Sequence, residues 1–148
     1  HEPGNQALIE RCEGFEEALQ DAIVLGTALT NLGTIAVPTN DMQLYKELVE
    51  QAVNRDDDWA GVGLLSLGPV QAPSILALQE QHPAVLIGTF DDSPVIDEAI
   101  GEGKILFGIN QNEYLQGYLP IPSLVWTLDE QNLVSKIIAS GPGFVETS

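Results

Sequence analysis

The sequence has few of the side chains that most enzymes use for nucleophilic, metal or phosphate chemistry. Its 148 residues include two His, one Cys, and five Lys and Arg together. His1 stands at the terminus and His82 precedes a proline, and neither neighbours a plausible nucleophile. The sequence also lacks a nucleophile elbow, a His/Cys metal-binding spacing and a phosphate-cradling glycine loop. We therefore expect a protein that is not an enzyme and that has no catalytic residue, metal or cofactor.

The scarcity of basic residues also restricts the partners. With 22 acidic residues the formal net charge is −17. Because phosphate contacts are made chiefly by Lys and Arg, we expect no nucleic acid partner and no anionic membrane partner. The run 56–58 is all Asp but lacks the alternating spacing and glycine of a calcium loop, so the acidity indicates a solvated surface. No apolar run approaches the about 18 residues of a membrane span, and we expect no membrane insertion.

A length of 148 residues predicts one domain, residues 1–148. Since 44% of the residues are hydrophobic, this domain can form a core without disulfides. Cys12 cannot form an internal disulfide and falls on the apolar spacing of a helix, so it is interpreted as a small buried hydrophobe. No signal peptide is recognisable. Since the chain opens on His1 rather than Met, we expect a processed product or a fragment.

Helical and strand patterns alternate along the chain. Apolar residues at three- and four-residue steps predict a first helix from about Asn5 to Ala22. Asn40 with Gln43 predicts the N-cap of a second helix that ends near Asn54. Short apolar runs predict strands at 34–37, 61–65, 84–89 and 104–109.

Two further helices fit between these strands. One follows the turn at Gly68 and ends near His82, and the other is capped by Ser93 with Pro94 in its first turn. The alternation predicts an α/β fold: a doubly wound, mostly parallel sheet with helices on both faces. Beyond residue 109 a helix is predicted over 113–119, Pro120 and Pro122 break it, and 124–128 restart it. A last strand is predicted at 136–139, before a turn at 141–143.

Polar side chains follow three of the predicted strands. Ser66 follows the strand at 61–65, Asp91 the strand at 84–89, and Asn110 and Gln111 the strand at 104–109. Ligands bind at this carboxyl edge in open α/β sheets, and carboxylates with amides suit neutral polyols. Arg11 of the first helix adds the N–H donors of its guanidinium group. The alternative is that the acids offset a helix dipole and the amides cap the next helix.

Four motifs, taken together, resemble a known family. They are Asn5 with Arg11–Phe15, then Gly88–Pro94, then Asn110–Tyr118, and finally Ser140–Val145. In order and spacing the motifs are similar to those of the type I periplasmic binding proteins, especially the sugar-binding proteins of bacterial ABC transporters. The resemblance covers about the first 118 residues and the closing segment. It implies that residues 1–148 form the second, C-terminal lobe of a two-lobed protein.

The resemblance implies roles for three side chains. Arg11 would hold ligand hydroxyls, Asp91 would accept hydroxyl protons, and Gln111 would contact the ligand near the hinge between the lobes. The ligand would be a sugar-like small molecule, and the protein would be secreted, extracellular or periplasmic. Where the family often has an Asn-Asp pair, this chain has Leu67-Gly68, which removes one polar contact.

The resemblance also implies two missing parts. A first lobe is needed to close on the ligand, and a central strand would precede His1. Without that strand, the predicted strands at 34–37 and 61–65 would flank an empty slot with unsatisfied backbone groups. A strand from another copy, a partner chain, the segment after Pro120, or a larger parent protein would fill it. The alternative function is therefore an assembly subunit, for example of a homo-oligomer, that has lost ligand binding.

Overall fold

The computed structural model describes residues 4–37, 41–54, 59–130 and 141–146. Helices and strands alternate between residues 42 and 118. In chain order the elements are α1 (Gln6–Val24), α2 (Met42–Val53), β1 (Gly63–Ser66), a 3-10 turn (Pro69–Gln71), α3 (Ala72–Gln81), β2 (Leu86–Phe90), α4 (Pro94–Gly101), β3 (Phe107–Asn110), α5 (Glu113–Tyr118), α6 (Pro120–Glu130) and β4 (Gly143–Glu146).

The four described strands form one sheet in the order β1-β2-β3-β4. The first three are parallel, with Ser66 opposite Thr89 and Phe90 opposite Ile109. The fourth runs antiparallel to β3. The α/β class and the mostly parallel sheet are thus confirmed. Because β1, β2 and β3 point the same way, the residues that follow them meet at one end of the sheet, here called the carboxyl edge.

One face of the sheet, here called the closed face, packs against helices. Side chains alternate along a strand, so Ile87 and Thr89 lie on this face and their neighbours Leu86 and Gly88 lie on the other. The closed face belongs to a core shared with α2, α3 and α4, which includes five aliphatic side chains that are at most 4% exposed: Ile75, Leu78, Ile87, Ile96 and Ile100. Each fully buried side chain of this kind contributes about 1.5–3 kcal/mol through the hydrophobic effect.

The opposite face, here called the open face, is only partly covered by the described residues. Phe15 of α1 lies over it, beside a groove of about 590 Å³ that is also lined by Leu86, Phe90 and Phe107. Leu86 is 51% exposed and Phe144 of β4 is 69% exposed. The open face is therefore apolar but far more accessible than the closed face.

The helix boundaries follow local chemistry. Ser93 Oγ accepts a hydrogen bond from Ile96 N at 3.3 Å, and Pro94 occupies the first turn of α4, as predicted. The predicted cap of α2 was wrong. Asp41 caps α2 by accepting from Leu44 N at 2.9 Å, whereas Asn40 lies outside the described residues.

The break predicted at Pro120 is confirmed, because α5 ends at Tyr118 and α6 starts at Pro120. The break predicted at Pro122 was wrong, because Pro122 lies in the first turn of α6. Proline has no N–H to donate and a fixed φ, so it fits the first turn of a new helix better than the interior of an old one. The predicted restart over 124–128 falls within α6.

Two strand predictions differ from the structure. Residues 34–37 form no strand, although Val37 is buried. A β-favouring run becomes a strand only when a neighbouring strand supplies its hydrogen bonds, and the described strand next to β1 is β2. Conversely, β4 begins at Gly143, where a turn was predicted. The strand predicted at 136–139 lies outside the described residues.

The burial predicted for Cys12 was wrong. Its side chain is partly exposed, and Sγ lies 2.9 Å from Thr34 Oγ1. The polar neighbour explains the difference, because a thiol that reaches a hydroxyl sits at the edge of the core rather than inside it.

Across the described part of the chain, none of the helices combines the length and the apolar character needed to cross a bilayer.

Candidate functional site

Helix α1 brings Arg11 to the carboxyl edge. Asn5 starts this helix by accepting a hydrogen bond from Ala7 N at 3.2 Å, and the buried Leu8 packs beside Gly68. Arg11 lies three residues after Leu8 and therefore on the same face of α1. From this face its side chain extends across the ends of the strands. Its Nη1 donates to the carbonyl oxygen of Leu67, just after β1, at 2.6 Å.

Arg11 also forms an ion pair with Asp91. The Nη1–Oδ2 distance is 3.4 Å and the Nη2–Oδ1 distance is 3.5 Å, so the guanidinium fork faces the carboxylate with both arms. The two side chains are 16% and 15% exposed. At this partial exposure the pair is reachable by a ligand and is still held in one geometry by the protein.

The backbone of Asp91 fixes the direction of the carboxylate. Asp91 follows β2 with φ of +65°, in the left-handed region that Asp and Asn tolerate better than other residues with a side chain. Its N–H donates to Ile109 O at 2.9 Å, which ties the residue to β3. An unusual backbone conformation held by a neighbouring strand is common where a side chain has to be aimed.

Gln111 completes a cluster of three. Its Nε2 donates to Oδ1 of Asp91, and its own carbonyl oxygen accepts from Gln116 Nε2 of α5 at 2.9 Å. The structure therefore brings together Arg11, Asp91 and Gln111, which are far apart in sequence. This set is called the edge cluster below.

Asn110 and Ser66 contact other groups. Asn110 Nδ2 donates to Asp92 Oδ2 at 2.6 Å, and Asn110 Oδ1 accepts from Asn112 N at 2.5 Å at the start of α5. Ser66 is buried and its Oγ donates to Gly68 O at 2.5 Å. Neither is hydrogen-bonded to the edge cluster. Their proposed roles as ligand-binding residues remain predictions.

Two further contacts in the site were not predicted from the sequence. The Phe90 ring lies beneath Arg11, with the guanidinium carbon 4.6 Å from the ring centroid. The other contact is the carbonyl oxygen of Leu67. Phe90 directly precedes Asp91, so its position was a usable signal, since arginine stacks on aromatic faces. A backbone carbonyl has no sequence signature.

The edge cluster combines donors and acceptors in a small space. A guanidinium and an amide supply N–H groups, and a carboxylate supplies lone pairs. A neutral hydroxyl both donates and accepts, so such a set can bind it without leaving a net charge unpaired. Within the described ranges, no three His, Cys, Asp or Glu side chains are grouped closely enough to hold a metal ion.

Comparison with solved structures assigns the class of fold. The chain has the fold of one lobe of a type I periplasmic binding protein. It superposes with a TM-score of 0.75 on an ABC transporter solute-binding protein from Agrobacterium vitis with bound α-D-tagatopyranose, at 19% sequence identity over 97% of this chain. A second solute-binding protein from A. vitis, with bound D-fucose, gives a TM-score of 0.67 at 17% identity over 90% of this chain.

A third such protein, from Bradyrhizobium sp. BTAi1 with bound Bis-Tris, gives a TM-score of 0.73 at 20% identity over 99% of this chain. In the order given, the chain spans 47%, 46% and 42% of these three proteins, less than half of each. No family model matches the sequence. No curated protein matches it either. The structural likeness thus establishes the fold of a single lobe.

Proposed function

We propose that this chain is a non-enzymatic lobe that binds a neutral, sugar-like small molecule through the edge cluster. The observation that supports this best is the convergence of Arg11, Asp91 and Gln111 at the carboxyl edge, each from a different element. The Phe90 ring under the guanidinium adds an apolar surface for the C–H face of a sugar.

The proposal includes a second lobe. An edge cluster on one lobe leaves the opposite side of a ligand in water, whereas good pockets cover about 70–90% of the ligand surface. The structural neighbours are about twice the length of this chain, which supports a partner lobe that closes over the cluster. With that partner the protein would act as a soluble receptor outside the cytoplasm. The lobe alone would bind weakly.

Binding is tested by following backbone amide chemical shifts of the full 148-residue chain during titration with D-fucose, D-tagatose and myo-inositol. The titration should extend beyond about 1 mM, where the binding free energy is only about −4 kcal/mol. We expect shifts at Arg11, Asp91 and Gln111 with at least one sugar. Asp91→Asn keeps the size and the tolerance of a left-handed φ but removes the charge, and should weaken binding about ten-fold or more.

Asp97→Asn is the matched control, because this substitution removes the same charge at an exposed position on α4. It should leave the affinity unchanged. If none of the sugars shifts the edge cluster, or if both variants bind as well as the parent chain, the proposed function is wrong.

A further inference from the structure

Arg11 has the longest side chain of the edge cluster, and the tip of such a side chain is ordered only where contacts hold it. Its Nη1 donates to the Leu67 carbonyl oxygen at 2.6 Å, which is a short hydrogen bond. The two contacts with the Asp91 carboxylate, at 3.4 and 3.5 Å, are longer than ordinary charge-assisted hydrogen bonds. One short bond leaves the guanidinium free to rotate about it, so a further contact is needed to fix its plane.

The Phe90 ring supplies that contact. Phe90 is the last residue of β2 and its backbone is opposite Ile109 of β3, so the sheet fixes where the ring starts. The guanidinium carbon of Arg11 lies 4.6 Å from the ring centroid, well inside the range of about 6 Å for a cation–π interaction. Because the Arg11 side chain is only 16% exposed, water screens this attraction less than it would on an open surface. A ring that packs against the guanidinium restrains the rotation that one hydrogen bond allows.

The turn after β2 explains how one segment contacts Arg11 twice. Phe90 and Asp91 are consecutive, and side chains of consecutive residues in a regular strand point to opposite faces of the sheet. Asp91 leaves the strand conformation with φ of +65°, while its N–H remains bonded to Ile109 O at 2.9 Å. The ring and the carboxylate therefore both contact the same guanidinium. Two adjacent residues thus make different contacts with Arg11, one aromatic and one ionic.

We propose that Phe90 is a positioning residue that holds the Arg11 guanidinium toward Asp91 before a ligand binds. The inference rests on the proposed function, since it concerns the same cluster, but it assigns Phe90 an effect on Arg11 that is separate from any contact of the ring with a sugar. A ligand that meets an ordered guanidinium does not have to restrict its rotamers, and this preorganisation strengthens binding. Removal of the ring should therefore loosen Arg11 in the free chain and weaken binding as a consequence.

The test follows the Arg11 side chain by nuclear magnetic resonance in the full 148-residue chain without added sugar. Arg11 and Arg55 are the two arginines of the sequence, so the Nε–H spectrum is simple, and Arg11→Lys assigns its signals. In the parent chain, nitrogen relaxation should show an ordered Arg11 Nε–H, and the ring current of Phe90 should shift the side-chain protons of Arg11 upfield. Phe90→Leu keeps an apolar side chain but removes the aromatic face, and should make the Arg11 Nε–H mobile on the ps–ns timescale. Phe90→Tyr keeps the aromatic face and should keep Arg11 ordered.

Phe107→Leu is the matched control, because it makes the same substitution on the neighbouring strand β3 in the same groove. The Phe107 ring packs against Phe144 with centroids 6.2 Å apart, and its removal should not affect Arg11. Titration with D-fucose, D-tagatose and myo-inositol supplies the binding readout. For the sugar that shifts the edge cluster most, Phe90→Leu should weaken binding about three-fold, as expected for one cation–π contact at a partly exposed site. Phe107→Leu should bind this sugar as tightly as the parent chain.

The inference is overturned if the Arg11 Nε–H stays as ordered in Phe90→Leu as in the parent chain, or if Phe107→Leu loosens it equally. It is also overturned if Phe90→Leu loosens Arg11 without changing the affinity, because the order of Arg11 would then not serve binding. If Phe90→Leu does not fold, the parent spectrum decides: an ordered, upfield-shifted Arg11 supports the inference, and a mobile or unshifted Arg11 overturns it. If the parent chain binds none of the three sugars, the proposed function is wrong, and the spectra without sugar still show whether Phe90 orders Arg11.

Discussion

The two faces of the sheet differ in how completely they are covered. On the closed face, Ile87 and the core-facing side chains of α3 and α4 are almost inaccessible to water, whereas Leu86 on the open face is half exposed. The edge cluster and a cleft of about 670 Å³ beside β1, here called the β1 cleft, both include residues from α1, which lies on the open side. The difference indicates that the closed face holds the fold together, while the open side and the sheet ends are available for ligands and partners.

The sharpest test of this difference compares neighbouring residues on β2. Ile87→Ala should destabilise the chain by about 3 kcal/mol, because it removes a buried side chain and leaves a cavity. Leu86→Ala should cost less than about 1 kcal/mol, because the side chain is already largely hydrated. Urea unfolding followed by circular dichroism measures both. Equal losses for the two variants would mean that the open face is covered in solution.

A second comparison uses two glycines whose positions lie on the open face. A methyl group at Gly88 would come within 2.5 Å of the Phe107 ring, whereas a methyl group at Gly63 would meet nothing within 4 Å. Gly88→Ala should therefore cost about 1–3 kcal/mol through overpacking, unless the ring moves away. Gly63→Ala is the matched control on the adjacent strand and should change the unfolding free energy by less than about 0.5 kcal/mol.

A stable Gly88→Ala variant would show that Phe107 moves freely on the open face. Its ring packs edge to face with Phe144 of β4, with centroids 6.2 Å apart. The melting temperature, measured together with the near-ultraviolet circular dichroism of the phenylalanines, separates a displaced ring from a strained backbone.

The parts of the fold that were predictable carry local signals. Ser93 and Pro94 mark the start of α4 because an N-cap and a first-turn proline act within a few residues. Strand β2 is recognisable because both faces of its middle are apolar. Residues 34–37 were wrongly predicted as a strand, and the strand at 143–146 was not predicted, because whether a short segment is a strand depends on a distant neighbour. β4 exists through its pairing with β3, whereas residues 34–37 do not belong to the sheet.

The edge cluster was predictable for a different reason. Residues that directly follow neighbouring parallel strands lie at the same edge of the sheet, whatever the conformation of the loops. Asp91 and Gln111 were therefore expected to lie near each other. Arg11 was included as a source of donors from the first helix, and the resemblance to a family gave it the role of holding ligand hydroxyls. The contacts that local sequence did not reveal, the Leu67 carbonyl and the turn of Ser66 toward Gly68, depend on the path of the backbone after β1.

The N-caps of two helices allow another comparison of the two faces, with a smaller expected loss of stability. Ser93 caps α4 on the closed face, and Asn5 caps α1 on the open side. Ser93→Ala should cost about 1 kcal/mol. Asn5→Ala should cost less than half of that in global unfolding, because α1 buries only Leu8 completely and its end can fray without opening the core. Chemical denaturation compares the two, and a larger loss for Asn5→Ala would place α1 within the cooperative core.

The smallest expected effect lies where the closed face meets the β1 cleft. Tyr45 of α2 lines that cleft and belongs to the core, and its burial raises the pKa of its phenol above the ordinary value near 10. Since the unfolded chain loses this proton first, the stabilising contribution is complete at neutral pH and declines as the pH rises above about 10. The loss is about 0.4 kcal/mol at pH 10 and steepens to at most about 1.4 kcal/mol per pH unit.

Urea unfolding between pH 8 and about 10.5 should therefore show a shallower decline for Tyr45→Phe than for the parent chain. Tyr114→Phe is the matched control, because Tyr114 is exposed on α5, and it should keep the decline of the parent. If Tyr45→Phe and Tyr114→Phe decline equally, the phenol of Tyr45 is hydrated. The β1 cleft would then admit water to the edge of the core.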